Sequence, residues 1–508
     1  MIDYKKKITC LRKYMRGGEY TDECTGKNSQ GTVFDDIDEC TESNRGRIIN
    51  SPAVRRLQQK TQVFPLEINA AVRSRLTHSL EVQQNARYLA RTIIKDLKEK
   101  KKLKKYGLEG LEHAFVSTAE MASLMHDIGN PPFGHFGELA INDWMTAKGI
   151  KCLNTSLNIQ DDSLLPKDMQ ILKDKLERDI CNFEGNAQAI RMVHTLQGLN
   201  LTYSQIASIL KYGRAAYEEK PSKNDAQSYL KKKPGYYFSE EEFVKELHSE
   251  LNMEDGCRFP LTYIMEAADD ISYGIADLED GVDKGLISLK KLYETIKNEA
   301  DKYGENGEYV KCRAQKAYDY AKEKQYLKVN SFVVMFRTNL VNDLVKYAAK
   351  KFIKNHKAIY EGTYNQALLE NNNSKYDVAL EVLKNVAFKH VFEHPEVETL
   401  ELKGHSALKG IFDTYMPILE ASHKEFEKLV NEGRADSPIV KRLYKRLPNK
   451  HVAAYVKIID SLKEKKELEE LEYKLYEWYY RARLLIDFIS GMTDEFALKE
   501  YQTLSALN

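Results

Sequence analysis

Apolar residues recur at helical spacing along most of the chain, and this periodicity restricts the fold more than any other feature. One clear stripe follows Leu76 and consists of Leu80, Ala86, Leu89, Ala90, Ile93 and Ile94. Residues three and four apart share one face of a helix, so such stripes predict amphipathic helices. We expect further helices near 115–127, 186–212, 240–252, 261–280, 330–355, 377–392, 408–430, 452–465 and 470–490. Strand signals are short and few, for example near 233–238, so the predicted fold class is all-α.

Length and charge limit the organisation and the partners. The chain has 508 residues, of which 42% are hydrophobic, enough for a sizeable core. We predict an N-terminal segment over 1–50, a helical core domain over 51–290 and a helical C-terminal region over 291–508. The 77 basic and 76 acidic residues nearly cancel. This balance excludes a protein held to nucleic acid by bulk positive charge, but it allows local basic patches such as 98–105.

Cysteine usage and hydropathy indicate the compartment. The seven cysteines are scattered and include no CxxC pair, so the sequence suggests neither a disulfide framework nor a thiolate zinc site. The N-terminus has no apolar signal-peptide region, and no run of about 18 apolar residues occurs. We therefore expect a soluble cytoplasmic protein that does not contact a membrane.

Four residues form a candidate metal site: His78, the adjacent pair His126 and Asp127, and Asp269. Imidazole nitrogens and carboxylate oxygens both bind divalent ions, and four such ligands leave positions open for water and a phosphate oxygen. His78 and the His-Asp pair lie in apolar helices, where each unpaired polar group would cost about 1–3 kcal/mol. However, a chain with 12 histidines is expected to contain one His-Asp dipeptide by chance. From the pattern alone, both interpretations remain open.

A second histidine and a carboxylate follow nine residues after His126. Gly129, Asn130 and two prolines end the preceding helix, since glycine suits a left-handed cap and proline cannot continue the helix. If the next segment is helical, His135 and Glu138 share one face. A carboxylate fixes the tautomer of an imidazole and raises its pKa, which favours proton transfer near neutrality. The alternative is a surface ion pair in a loop.

The motifs around these residues resemble a known family. The order H…HD…D over about 190 residues is similar to the HD phosphohydrolase superfamily. Within it, six segments resemble the dGTP triphosphohydrolase family of enterobacterial type, and the resemblance runs from about residue 4 to 502. These segments are NRGRIINSPAVRRLQQKTQVFPLE, RSRLTHSLEVQ, LMHDIGNPPFGHFGE, FEGNAQ, MEAADDISY and DFISGMTDEFA.

The resemblance implies a chemistry and an assembly. It implies an HD-type catalytic core over 51–290, in which His78, His126, Asp127 and Asp269 hold a divalent ion. Mn²⁺, Mg²⁺, Co²⁺ and Fe²⁺ all suit this ligand set. It assigns catalysis to His135 and Glu138, and it implies that dGTP is hydrolysed to deoxyguanosine and inorganic triphosphate by water attack at the α-phosphorus. This activity would control dNTP pools. A homohexamer and a single-stranded DNA effector are also implied.

The resemblance further implies a set of substrate contacts. Phosphate contacts are expected from Asn186, Lys211, Tyr212 and Lys233. Independently of the resemblance, Tyr273 and Asp277 follow Asp269 at i+4 and i+8 on one helical stripe, where Tyr273 would exclude a 2′-hydroxyl and Asp277 would bind the 3′-hydroxyl. The alternative is an ordinary helix with one polar face. Guanine contacts are expected from Val63, Phe392 and Glu401, together with Arg442 of a neighbouring subunit. A second family arginine falls near Arg434, where NEGRADSP departs from the family pattern.

Two other functions compete with this interpretation. One is an HD hydrolase acting on nucleoside monophosphates, on alarmones or on all dNTPs. HD monophosphatases are much shorter and would not need cations at 211 and 233. The other is a nucleic-acid-binding protein with a vestigial HD site, but the four ligands and the His135–Glu138 pair keep their chemical types. Both points favour a triphosphate substrate.

Overall fold

The computed structural model describes residues 2–14, 20–21, 28–29, 36–67, 69–326, 328–370, 374–464 and 468–506. Within these ranges the fold is built from α-helices joined by short connections, and this confirms the predicted all-α class. The described strands are β1 (Tyr20–Thr21), β2 (Asn28–Ser29), β3 (Arg214–Ala215) and β4 (Pro234–Tyr236). β1 pairs antiparallel with β2, and β3 pairs parallel with β4, close to the predicted strand at 233–238.

The described helices follow one another along the chain, first up to residue 283 and then from residue 289 onward. The first group is α1 (Ile37–Ile49), α2 (Pro52–Arg56), α3 (Arg75–Glu99), α4 (Glu112–Met125), α5 (Gly134–Trp144), α6 (Ile150–Leu157), α7 (Lys167–Ile180), α8 (Gly185–Arg191), α9 (Tyr203–Ala207), α10 (Glu241–Glu250) and α11 (Pro260–Asp283). The second group is α12 (Leu289–Asp301), α13 (Glu305–Lys322), α14 (Lys328–Lys354), α15 (His356–Glu361), α16 (Lys375–Ala387), α17 (Pro395–Glu420), α18 (His423–Glu432), α19 (Pro438–Tyr444), α20 (Asn449–Glu464), α21 (Glu470–Ser490) and α22 (Asp494–Leu504). Wider π-type turns extend three helices, at Met145–Gly149, Met192–Leu196 and Phe388–Phe392.

Two hydrophobic cores hold these helices. α3, α4 and α11 pack against one another, and α14 and α16 pack beside them in a core that draws residues from Tyr4 to Ala387. Burial of each large aliphatic or aromatic side chain stabilises such a core by about 1.5–3 kcal/mol. In the second core, α5 packs on α17, with the rings of Trp144 and Phe412 stacked at 5.0 Å. The division into 1–50, 51–290 and 291–508 remains a prediction.

The turn after α4 differs from the sequence expectation. Gly129 is not in the left-handed region, which is occupied instead by Phe133 (φ 62°) and Gly134 (φ 56°). Glycine is required at 129 because a Cβ would lie 2.0 Å from the carbonyl oxygen of Gly185. The turn after α4 therefore packs directly against the start of α8, and this contact brings the HD motif beside the FEGNAQ segment.

The expected helix over 186–212 is wrong as one element. Helical structure ends at Leu196 and resumes only in α9, because Gly198 and Asn200 adopt left-handed backbone conformations. Lys211 and Tyr212 follow α9 in an irregular segment. Loop contacts hold this segment: Arg258 Nε donates to the Lys211 carbonyl at 2.8 Å, and the Gly213 amide donates to the carbonyl of Leu230 at 3.0 Å.

The structure also corrects the reading of the cysteines. Cys10 and Cys40 form a disulfide across 30 residues, a pairing for which the sequence carries no spacing signal. Cys24 lies outside the described residues. Among the described helices, none combines the length and apolar character needed to cross a membrane.

Candidate active site

Three helices bring the predicted metal ligands together. His78 lies in the first turn of α3, His126 directly follows α4, and Asp269 lies in the middle of α11. Asp269 Oδ1 lies 3.2 Å from His78 Nε2 and 3.6 Å from His126 Nε2. This is the group of histidines and carboxylates that could hold a metal ion within the part of the chain that the structure describes. The neighbouring Asp270 instead faces Lys384 at 3.4 Å.

The surroundings of these ligands fit a divalent ion. The Nδ1 of His126 is 2.8 Å from the carbonyl of Ser123, and this contact turns Nε2 towards Asp269 and Asp127. A backbone carbonyl that fixes the tautomer in this way is typical of ligating histidines. His78 is fully buried, so its polar ring would be costly to bury without a charged neighbour such as Asp269. The mixed nitrogen and oxygen donors suit the divalent ions expected from the sequence.

Asp127 stands slightly apart from the other three ligands. Its Oδ2 accepts from Arg75 Nη1 at 2.7 Å, and its Oδ1 accepts from Asn130 Nδ2 at 2.8 Å. Burial opposes ionisation, but His126 and Arg75 outweigh it and lower the pKa of Asp127 to about 2. Burial likewise opposes ionisation of Asp269, and His126 and His78 lower the pKa of that carboxyl. Both carboxylates are therefore ionised near neutrality and can bind a cation.

The predicted pair of His135 and Glu138 lies in the first turn of α5. His135 Nδ1 is 3.3 Å from Glu138 Oε2, and Glu138 Oε1 accepts from the Gly185 amide at 2.9 Å. The hydrogen bond to Glu138 raises the pKa of His135. The His135 side chain remains 87% exposed to the cavity while Glu138 is mostly covered. An anchored carboxylate thus supports an imidazole that is free to meet a substrate.

One cavity of about 850 Å³ joins these groups. Its wall includes most of the predicted site residues, namely Val63, His126, Asp127, His135, Glu138, Asn186, Lys211, Tyr212, Lys233, Asp269, Tyr273, Phe392 and Glu401. The volume lies within the usual range of small-molecule sites. Residues that are far apart in sequence, from Val63 to Glu401, therefore line a single cavity.

The predicted phosphate-binding cations are each balanced by a carboxylate. Lys233 Nζ lies 2.8 Å from Glu184 Oε1, and the same carboxylate accepts from the Asn186 side-chain amide at 2.8 Å. Lys211 Nζ lies 3.6 Å from Glu266 Oε1. Burial disfavours the charge on Lys211, but Tyr212 and Glu266 outweigh it and raise the pKa of this lysine. Both lysines are thus held as cations at the cavity wall.

Aromatic and apolar groups line the other end of the cavity. The rings of Tyr273 and Phe392 are stacked, with centroids 6.0 Å apart and planes 11° apart. Val63 is buried in a small cluster that Phe392 packs against. Burial and the charge of Glu398 raise the pKa of Glu401 to about 7. A flat apolar surface beside a carboxyl group is suited to a planar base that carries hydrogen-bond donors.

Three predicted residues do not lie on the cavity wall. His78 is buried behind it as part of the metal-ligand group. Asp277 is fully buried, neither of its carboxylate oxygens is hydrogen-bonded to a described residue, and burial raises the pKa of its carboxyl well above the usual value. Arg442 is exposed on α19, where it donates to the Pro438 carbonyl at 3.2 Å. Arg434 is also exposed and pairs with Glu432.

Arg75, Glu184 and Glu266 are among the charged residues of the cavity that sequence reasoning missed. Each had a signal, because Arg75 and Glu266 stand three residues before the predicted ligands His78 and Asp269 on the same helical faces. Glu184 belongs to FEGNAQ, one of the motifs that carry the resemblance. A buried charge one turn from a metal ligand requires a charged partner. Applying this rule to the sequence would have identified Arg75 and Glu266 as site residues, but not Glu184.

Comparisons with known proteins agree with this geometry. Residues 75–154 match the HD domain model, and residues 452–503 match the phosphohydrolase-associated domain model. The chain is 45% identical to the deoxyguanosinetriphosphate triphosphohydrolase of Salmonella schwarzengrund (strain CVM19633), over 100% of this chain and 99% of the relative. It is 47% identical to the protein of the same name from Yersinia pestis (strain Pestoides F), over 99% of each chain.

These similarities extend along both chains from end to end, and they confirm the family resemblance drawn from the motifs. The HD match begins at Arg75, the first residue of α3, and includes His78, His126, Asp127, His135 and Glu138. The chain is a hydrolase of the HD superfamily and belongs to the deoxyguanosinetriphosphate triphosphohydrolase family.

Proposed function

We propose that this chain hydrolyses dGTP to deoxyguanosine and inorganic triphosphate, by attack of water at the α-phosphorus. The names of its relatives support the substrate. The observation that carries the proposal is the common cavity, in which the candidate ligands His126, Asp127 and Asp269, the His135–Glu138 pair and the cations Lys211 and Lys233 face one space. A triphosphate needs several cations placed beyond the reacting phosphorus, and this wall supplies them.

The metal-ligand group would define the reacting end of the cavity. A divalent ion held by His78, His126, Asp127 and Asp269 would polarise the α-phosphate and neutralise its charge. Mn²⁺, Mg²⁺ and Co²⁺ are the candidates. Arg75 holds Asp127 by an ion pair of 2.7 Å and so keeps this carboxylate ionised and oriented.

The His135–Glu138 pair would move the proton of the reaction. Glu138 is anchored by the Gly185 amide, so it holds the His135 ring in one orientation while the ring projects into the cavity. From this position the imidazole can exchange a proton with the attacking water or with the departing 5′-oxygen. Departure of the 5′-oxygen leaves the triphosphate intact.

Lys211, Tyr212, Lys233 and Asn186 would bind the phosphates that leave. The pairing of Lys233 with Glu184 fixes the lysine before substrate arrives. At the other end, the Tyr273–Phe392 stack and Val63 would contact the sugar and base. Glu401 would accept hydrogen bonds from guanine. Tyr273 would occupy the space of a 2′-hydroxyl, and Asp277 would bind the 3′-hydroxyl if the tyrosine gives access to it.

The assembly and its regulation are part of the same proposal. We propose a cytoplasmic homohexamer that controls dNTP pools, in which Arg442 of one subunit enters the cavity of its neighbour. The exposure of Arg442 on α19 supports this role. A single-stranded DNA effector is supported by the exposed lysines of the 98–105 segment, whose charge would act locally.

Product analysis tests the proposed function. The purified protein is incubated with each dNTP and with GTP, with Mn²⁺ or Mg²⁺, and the products are separated by ion exchange. We expect deoxyguanosine and inorganic triphosphate in equal amounts, formed fastest from dGTP and absent in His126→Ala. His113→Ala is the matched control, since His113 lies on α4 but pairs with Asp38 at the surface. Pyrophosphate or monophosphate products would contradict the proposal.

A further inference from the structure

The C-terminal motif DFISGMTDEFA, residues 487–497, lies against the turn that follows α4, and no role was assigned to it above. Asp494 is the first residue of α22 and is 2% exposed. Its Oδ1 accepts from the Phe133 amide at 3.0 Å. Its Oδ2 accepts from the Thr61 amide at 3.0 Å and from the Thr61 hydroxyl at 2.5 Å. One buried carboxylate thus joins two distant segments of the cavity wall.

A buried lysine makes a second connection beside the first. Lys60 is 2% exposed, and its ammonium group donates to the carbonyl of Ser490 at 3.0 Å and to the carbonyl of Asn130. The carbonyl of Lys60 accepts from the amide of Arg75 at 2.9 Å. The end of α21, the turn after α4 and the start of α3 therefore meet at this lysine. Burial lowers the pKa of Lys60 to about 7, but the amino group donates both hydrogen bonds in either protonation state, and losing one would leave a buried carbonyl without a partner.

The anchored amide lies at a demanding point of the backbone. Phe133 and Gly134 both adopt left-handed conformations and lead directly into α5, whose second residue is His135. A left-handed phenylalanine is unfavourable unless its surroundings impose it. The carboxylate of Asp494 holds its amide, and the ring of Phe133 packs at Gly404 of α17. The direction in which His135 projects therefore depends on a contact made by the C-terminal motif.

We propose that Asp494 and Lys60 are positioning residues, through which the C-terminal motif fixes the turn 130–134 and so aligns the His135–Glu138 pair with the metal ligands. Neither residue lies on the cavity wall, whereas Thr61, Asn130 and Phe133 do. The two residues therefore act through these neighbours without contacting substrate. The kinetic part of this inference rests on the proposed function, and its structural part does not.

Asp494→Asn tests the inference. Asparagine keeps the size of the side chain but replaces one accepting oxygen with an NH₂ group. This group would face the amide of either Phe133 or Thr61, so the hydrogen bond to that segment is lost. We expect kcat for dGTP to fall about tenfold or more, with KM changed less than about threefold, because alignment is lost and binding groups remain. Glu500→Gln is the matched control. Glu500 is a buried carboxylate of the same helix, but it accepts from Tyr415 and Arg446, away from the turn.

Amide hydrogen exchange gives a readout that does not depend on turnover. We expect faster exchange at 130–135 in Asp494→Asn than in wild type or Glu500→Gln, at a temperature where all three are folded. Equal exchange and equal kcat in the two variants would overturn the inference. If Asp494→Asn does not fold, Lys60→Met is compared with Glu500→Gln by the same criteria. A wild type that fails to hydrolyse dGTP, with exchange changed as expected, would overturn the proposed function alone.

Discussion

Removing the carboxylate that supports His135 should slow the reaction and move its pH dependence. Glu138→Gln keeps the side-chain shape and the oxygen that accepts from the Gly185 amide, but it removes the negative charge 3.3 Å from His135 Nδ1. Positioned proton transfer contributes roughly 10²–10⁴-fold to rates. The His135 ring is 87% exposed, so solvent screens part of this charge interaction. We therefore expect kcat to fall about 10–100-fold, at or below the lower limit of that range.

The direction of the pH shift follows from the same contact. Glu138 raises the pKa of His135, so its removal lowers that pKa. The limb of the kcat profile that reports His135 should move to lower pH. The limb moves in this direction whether the reactive form of the imidazole is protonated or neutral, because the same pKa governs the population of both forms.

The assay measures kcat for dGTP hydrolysis from pH 5 to 9, a range chosen to bracket roughly the ordinary histidine pKa. Asp143→Asn is the matched control, because Asp143 also lies on α5 and pairs with a histidine, His405, at 3.4 Å. We expect the control to keep the wild-type profile. A Glu138→Gln enzyme with kcat within about twofold of wild type and an unmoved limb would refute the assignment of this pair to proton transfer.

Three further outcomes are expected. Lys211→Met should raise KM for dGTP about tenfold or more, because a partly buried cation at the phosphate wall is lost, and an unchanged KM in steady-state assays would remove Lys211 from the site. Tyr273→Ala should lower the preference for dGTP over GTP, measured as a ratio of kcat/KM, by about tenfold, and an unaltered ratio would contradict steric exclusion of the 2′-hydroxyl. Asp179→Asn should lower the free energy of unfolding by about 3–5 kcal/mol, since both Asp179 and its partner Arg483 are fully buried. Urea unfolding with an unchanged midpoint would show that this ion pair contributes little.

The sequence predicted the helices well where apolar spacing was long and regular. The prediction of helix over 261–280 matches α11, and that over 470–490 matches α21. The prediction of one helix over 186–212 was wrong because the flanking residues favour helix, whereas Gly198 and Asn200 adopt left-handed conformations that interrupt it. Backbone conformation at single positions is set by packing, and a periodic pattern does not reveal it.

Some parts of the candidate site could be predicted from the sequence, and others could not. The ligand residues belong to short motifs, and the i, i+3 spacing of His135 and Glu138 agrees with their contact on α5. Asp277 is proposed to bind the sugar, and its side chain is fully buried and off the cavity wall. Helical spacing shows which face of a helix a residue lies on, but not how deeply its side chain is buried. It could therefore not predict whether Asp277 reaches the cavity. Hydrogen bonds between residues hundreds of positions apart, such as that from Lys60 to the Ser490 carbonyl, cannot be predicted from the spacing of neighbouring residues.

The most direct test of the central claim follows the oxygen of the attacking water. dGTP is hydrolysed in heavy-oxygen water with Mn²⁺, and the products are examined by mass spectrometry. Attack at the α-phosphorus predicts one heavy oxygen in the inorganic triphosphate and none in deoxyguanosine. Label in the 5′-hydroxyl of deoxyguanosine, or in a monophosphate product, would contradict the proposed role of this cavity.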